Sequence, residues 1–214
     1  TGEWPFFCPI IRYIQTMNFL AHIHLSGEND DIKIGNFIAD SVRTKDLPNF
    51  TEDIQLGIKL HWAIDNFTDH HEVVKKSKAL LYDEHHKYGA VLVDIFYDHY
   101  LARDWANYSN EDLGDFVNYF YQLLKDRKEE LPERITQMLP YMIRYNWLYN
   151  YQFLDGIEKV LGGMGRRASF KNRMHLGTNA LKEHYETFGS HFKLFYPALE
   201  AFVKNKKEEF LSER

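Results

Sequence analysis

The chain has 214 residues, 31 of them acidic and 26 basic, for a formal charge of −5. That balance argues against general nucleic-acid binding, which needs a basic face to neutralise phosphates. Hydrophobic residues make up 44% and aromatic residues 16%, enough for one sizeable, ring-rich core in one domain, and the single Cys8 excludes an intramolecular disulfide and a cysteine-based zinc site and fits a reducing, cytoplasmic setting.

Residues 1–16 (TGEWPFFCPIIRYIQT) are apolar but lack the basic start and small-residue cleavage site of a signal peptide. A cleaner pattern begins at Met17, so residues 1–16 are expected to be a non-core N-terminal extension and residues 17–214 the domain. No apolar run reaches the roughly 18 residues that a membrane span needs. From Met17 onward apolar residues recur at helical spacing, without hairpin dipeptides or sustained strand alternation, which predicts an all-α, single-domain helical bundle. A first helix is expected over about Asn18–Leu25, stopped by Gly27, and a second near Ile32–Val42, with Pro48 in the connection that follows. Thr51 reads as the N-cap of a third, with Glu52 and Asp53 at its positive end and Ile54, Ile58 and Trp62 as an apolar stripe. A break near Gly89 leads into Val91–Trp105. Ser109 with Asp112 resembles a capping box that opens a long helix to about Glu130. Pro132 suits the first turn of the next helix, and Pro140 is expected to end or kink it. The aromatic run Tyr141–Tyr151 reads as core, Gly162-Gly163-Met-Gly165 as a turn, and Thr178–Thr187 and His191–Lys207 as two final helices.

Chemistry concentrates in two of these segments. His61-Trp-Ala-Ile-Asp65-Asn-Phe-Thr-Asp69 and Asp94-Ile-Phe-Tyr-Asp98-His99 set ionisable groups one helical turn apart in apolar surroundings. Asn18 with His22 and Asn36 with Asp40 repeat the spacing. Buried ionisable groups need compensation, and mixed carboxylates and imidazoles suit a divalent metal ion of the Mn, Fe, Mg or Zn kind. Single pairs of this type also arise on surfaces or as core hydrogen bonds, whereas several of them in different helices favour a site. His22 and His24, two residues apart, face different ways on a helix, and His22 is the one that shares a face with Asn18. His70, His71, His85 and His86 lie among polar residues and read as solvated, and His175, His184 and His191 have no acidic partner pattern. The basic stretch Arg166, Arg167, Lys171, Arg173 reads either as an exposed helix start or as a landing place for phosphate or an acidic partner. No Walker loop, nucleophile elbow or HExxH motif is present.

At these residues the sequence resembles the acyl carrier protein phosphodiesterase family. The likeness runs through Met17-Asn-Phe-Leu-Ala-His-Ile-His-Leu-Ser, Gly35-Asn-Phe-Ile-Ala-Asp40, Gly57-Ile-Lys-Leu-His61-Trp-Ala-Ile-Asp65-Asn-Phe-Thr-Asp69 and Asp94-Ile-Phe-Tyr-Asp98-His99-Tyr-Leu-Ala-Arg103-Asp-Trp105. It implies a helical fold akin to a distorted HD-type metallophosphohydrolase, although no His-Asp dipeptide occurs and Glu72 stands where the family pattern has proline. It also implies hydrolysis of holo-acyl carrier protein to apo-acyl carrier protein and 4'-phosphopantetheine, with Asp40 as a metal or catalytic residue. The expected metal ligands are His22, Asp40, His61, Asp65 and Asp98, around manganese first, with magnesium, iron or cobalt as alternatives. Asp69 or Asp94 is expected to orient water or take its proton, and His99 to protonate the departing serine oxygen. Arg103, Arg166 and Arg167 are the expected substrate-binding cations, with Arg166–Arg173 as the docking face for the acidic carrier protein. Two rival readings stay open: a similar phosphohydrolase acting on a nucleotide or another small phosphodiester, and a noncatalytic helical interaction protein.

Overall fold

Helical periodicity is realised along the whole described chain. The computed structural model describes residues 19–167 and 173–212, and among these there is no strand. In chain order the helices are α1 (Phe19–Leu25), α2 (Asp30–Ile38), α3 (Glu52–His70), α4 (Glu72–Leu80), α5 (Tyr82–His85), α6 (Gly89–Arg103), α7 (Leu113–Asp126), α8 (Glu133–Arg144), α9 (Trp147–Asn150), α10 (Leu154–Arg167), α11 (Gly177–Glu183) and α12 (Tyr185–Ser212). Short 3-10 turns, among them 39–41 and 44–49, fill several connections.

α6 is the centre of the molecule. Apolar side chains occur on all its faces, so it must be covered all round, and it packs against α1, α4, α10 and α12. Burial on every side also encloses its polar residues, which is why Asp98 and His99 are 0% and 1% exposed. Asp98 meets the start of α1, where Oδ2 accepts from the Leu20 N–H and Oδ1 from the Ala21 N–H, each at 2.9 Å. These are first-turn donors that have no partner within their own helix. Burial drives the Asp98 carboxyl up to about 7 against those two bonds. Asp98→Ala is therefore expected to leave two buried N–H groups without acceptors and to destabilise the fold by about 2–4 kcal/mol. Asp98→Asn, which keeps one acceptor, should lose less. Urea denaturation measures both, and an alanine variant within about 1 kcal/mol of wild type would contradict the capping role.

α2 and α3 make the closest helix pair, and they start side by side. Asn29, the N-cap of α2, donates to Asp53 at 2.8 Å, while Thr51, the N-cap of α3, donates to Asp31 at 3.2 Å. One turn on, Gly35 and Gly57 face each other across the crossing. A Cβ on Gly35 would lie 2.1 Å from the Ile54 carbonyl oxygen, and one on Gly57 would lie 2.3 Å from that of Ile32. Only glycine lets the two backbones come this near, and the approach carries the end of α2 to the middle of α3.

Several local expectations are corrected. Asp112, not Ser109, caps α7, accepting from Gly114 and Asp115, while Ser109 accepts from Glu111 in the preceding turn. The helix it opens closes at Asp126, and a separate 3-10 turn spans Lys128–Glu130. Of the two outcomes expected at Pro140, ending does not occur: α8 runs on to Arg144, its buried stripe of Ile135, Met138, Leu139 and Met142 carrying the helix past one missing donor. Gly162, Gly163 and Gly165 are helical in α10, held there by the burial of Ile157, Val160, Leu161 and Met164. His85 is buried rather than solvated, neither ring nitrogen has a hydrogen-bond partner among the described residues, and burial lowers its pKa. Met17 and Asn18, and with them the expected extension 1–16, lie outside the described residues.

Candidate metal centre

Two helices deliver two imidazoles to one place, and a third supplies their common partner. His22 of α1 and His61 of α3 are both buried, and their rings stack with centroids 4.1 Å apart and planes at 26°. Both turn Nδ1 toward Asn36 of α2. His22 Nδ1 donates to Asn36 Oδ1 at 2.7 Å, and His61 Nδ1 donates to the Asn36 main-chain carbonyl at 2.8 Å. Both turn Nε2 toward Asp65, one helical turn beyond His61, at 3.3 Å from Oδ1 and Oδ2 respectively. Asp40, in the 3-10 turn that follows α2, sets Oδ1 3.4 Å from His61 Nε2. Single donor atoms of His22, His61 and Asp65 all lie within 4.8 Å of one another.

The direction of these hydrogen bonds decides which lone pairs remain. A main-chain carbonyl only accepts, so the proton is on His61 Nδ1 and a neutral ring keeps its lone pair on Nε2. Among the described residues that buried atom makes no hydrogen bond of acceptable geometry, and its neighbours are carboxylate oxygens, which are acceptors too. Lone pairs facing lone pairs in a buried site need a positive charge between them. In the metal-free protein a proton fills that need. Burial pushes the His61 pKa down, but the Asp40 and Asp65 carboxylates outweigh it and lift the group to about 10. Asp65 moves the other way: burial would raise it, yet His22 and His61 hold it well below the ordinary carboxylate range. Two imidazole nitrogens and the oxygens of Asp65 and Asp40 equally make a donor set that fits a divalent ion.

Residues 17–199 match the family described as acyl carrier protein phosphodiesterase. The chain belongs to the acyl carrier protein phosphodiesterase family. It is 33% identical over 192 residues to the protein of that name from Enterobacter sp. (strain 638), covering 89% of this chain and 100% of the relative. For the Klebsiella pneumoniae (strain 342) protein of the same name the identity is 31% over 192 residues, with the same coverage. For that of Photorhabdus laumondii it is 30% over 191 residues, covering 89% of this chain and 96% of the relative. No solved structure matches the chain. Membership places the chain among enzymes that hydrolyse phosphodiester bonds.

Of the residues singled out in the sequence of this phosphodiesterase-family chain, His22, Asp40, His61 and Asp65 come together. Asp94 faces the same region, half-buried. Burial raises its pKa well above the usual range, Asp65, Asp69 and Asp98 raise it further, and Lys78 opposes them. Asp69 is exposed and paired with Lys78 at 2.7 Å. Asp98 stands outside the group of three, with both oxygens committed to the start of α1. His99 points elsewhere on α6. Its Nδ1 donates to the Tyr151 carbonyl and its Nε2 bonds the Tyr185 hydroxyl, each at 2.8 Å, and burial lowers its pKa. Both its nitrogens are thus engaged in the fold and away from the metal centre. Arg103 forks onto Asp104 at 2.8 and 2.6 Å and lies over the Tyr100 and Tyr185 rings. Arg166 and Arg167 end α10, their side chains lie outside what is described, and so does Lys171.

Two residues of the centre have no sequence expectation behind their roles. Asn36 accepts a hydrogen bond from each ring, one of them through a main-chain atom that no side-chain pattern records. Arg134 on α8 is half-buried, which lowers its pKa, and Asp40 is the charged group that opposes this. Its neighbours in sequence, Glu133 and the Ile135–Met138–Leu139 stripe, read simply as an amphipathic helix.

Proposed function

We propose that this chain is a divalent-metal-dependent phosphodiesterase that converts holo-acyl carrier protein and water to apo-acyl carrier protein and 4'-phosphopantetheine. The observation that carries the reading is the pair of buried imidazoles whose Nε2 atoms both face the Asp65 carboxylate, in a chain of this family. His22, His61 and Asp65 would hold the ion, with Asp40 beside them. When bound, such an ion, manganese first among magnesium, iron and cobalt, supplies Lewis acidity toward a phosphate oxygen and lowers the pKa of water. A water oxygen bonds to phosphorus and gives up one proton to solvent as the bond from phosphorus to the carrier serine oxygen breaks, and the serine oxygen takes up a proton. Asp94, whose carboxyl burial raises well above the usual carboxylate range, is the acid we assign to that step, in place of the engaged His99. Arg134, beside Asp40, is the cation we assign to the phosphate's developing charge. The convergence of His and Asp side chains from two helices and a 3-10 turn supports kinship with a distorted HD-type arrangement. Among the described residues no helix is long and apolar enough to cross a membrane, which is compatible with a cytoplasmic partner such as the carrier protein.

The test is incubation of holo-acyl carrier protein with the protein after chelation and after re-addition of Mn2+, following loss of the phosphopantetheine group by mass spectrometry. Mn2+ should restore conversion, and Asp65→Ala should lower it by at least about 100-fold, since even losing an outer partner of a metal ligand costs 10–100-fold. Turnover of a generic aryl phosphodiester with intact holo-carrier protein would point to the small-substrate phosphohydrolase instead. No turnover of either, with no effect of divalent ions on thermal stability, would favour a noncatalytic interaction protein.

A further inference from the structure

Resting on the reading that His22 and His61 hold a divalent ion, we infer that Asn36 is the positioning residue for both, its side chain aiming His22 and its main-chain carbonyl aiming His61. Asn36 is 0% exposed and every polar atom of its amide is engaged. Oδ1 accepts from His22 Nδ1 at 2.7 Å, while Nδ2 donates to the His22 carbonyl at 2.9 Å and to Ser26 Oγ at 3.0 Å. Ser26 Oγ donates to the same His22 carbonyl at 2.8 Å. Reversing the amide would set its oxygen against that carbonyl and its NH2 against a ring donor, so the network admits one orientation. A single side chain thus grips His22 at both its backbone and its ring.

The hold on His61 has a different origin. α2 ends at Ile38, and the last carbonyls of a helix have no intrahelical partner. The Asn36 carbonyl is one of these, and His61 Nδ1–H serves it at 2.8 Å. Reaching that distance depends on the Gly35–Gly57 crossing one turn earlier, where backbone meets backbone. The negative end of α2 is thereby directed at the ring that would face the cation. In metal sites the group that fixes the far ring nitrogen sets orientation and affinity. Here one residue does this for two ligands by two separable means.

Separability gives the test. In full-length, metal-free protein labelled with 15N-histidine, slowly exchanging Nδ1–H signals of His22 and His61 are expected, assigned through His22→Gln and His61→Gln. Asn36→Ala should erase the His22 signal and keep that of His61, and should weaken Mn2+ binding by calorimetry about 10–100-fold. Ser26→Ala removes one partner of the amide nitrogen but leaves Oδ1 on His22 Nδ1 and Nδ2 on the His22 carbonyl, so the His22 signal should survive. The inference is overturned if Asn36→Ala leaves the His22 signal or the Mn2+ affinity unchanged, if it removes both signals alike, or if Ser26→Ala fails to keep the His22 signal. Should wild-type protein take up no Mn2+, the metal reading fails while the two Nδ1–H signals still decide whether Asn36 positions the rings.

Discussion

Metal-free protein is expected to lose stability as pH rises from about 6.5 toward 10, and added Mn2+ is expected to reverse the loss. The cause is His61, whose folded pKa is raised from 6.5 to about 10. A group raised on folding contributes stability that is complete below its unfolded pKa and disappears as pH climbs through its folded one. The full shift corresponds to about 5 kcal/mol. The partner carboxylates of Asp65 and Asp40 are 36% and 34% exposed, and solvent screening on that side reduces the expectation to about 3 kcal/mol. A divalent ion takes the place of the proton. Below pH 10 its binding releases that proton, so affinity should rise with pH, and the stabilisation by saturating Mn2+ should grow over the same interval. Urea denaturation at pH 6.5, 8 and 9, with chelator and with Mn2+, measures both trends. In His61→Gln both should flatten. A wild-type chelated series that stays level across this range would remove the charge argument on which the centre rests.

The sequence displayed those parts of the centre that depend on spacing along one helix. His61 and Asp65 are one turn apart on α3, the Thr51 cap sets that helix's start, and α1 geometry separates His22 from His24. What it did not display depends on contacts between helices. Asp98 shows why: an acid among apolar residues reads the same whether it will hold a cation or two backbone N–H groups, and only the position of α1 distinguishes them. His99 is similar, since its neighbour Asp98 faces α1 while it faces Tyr151 and Tyr185. Asn36 acts partly through a main-chain atom, which every residue possesses. Local chemistry misled at the glycines of α10, and α8 does not end at Pro140, because apolar burial outweighed about 1 kcal/mol of helix propensity per glycine and a lost donor. The all-α class was legible because apolar spacing persists over the whole chain, while the crossing of α2 and α3 was visible only as two glycines 22 positions apart, Gly35 and Gly57.

That crossing carries the second large expectation. Gly57→Ala would place Cβ 2.3 Å from the Ile32 carbonyl oxygen, 2.8 Å from the Asn36 nitrogen and 2.9 Å from the Gly35 Cα. All three are backbone atoms, so no side-chain rotation relieves the contact and the helices must separate. Overpacking of this kind costs about 3 kcal/mol or more. Separation also draws the Asn36 carbonyl away from His61, so Mn2+ affinity should fall with stability even though no ligand has been altered. Gly89→Ala is the matched control. It too is helical, but its nearest neighbours would be the Leu81 Cβ at 3.6 Å and the Lys78 carbonyl at 3.7 Å, ordinary contacts. There alanine should be neutral or stabilise by up to about 1 kcal/mol, by restricting the unfolded chain. Urea midpoints and Mn2+ calorimetry on the two variants separate a glycine required by backbone approach from one that is merely present. If Gly57→Ala melts with Gly89→Ala and binds Mn2+ as tightly, α2 and α3 do not meet as closely as the centre requires.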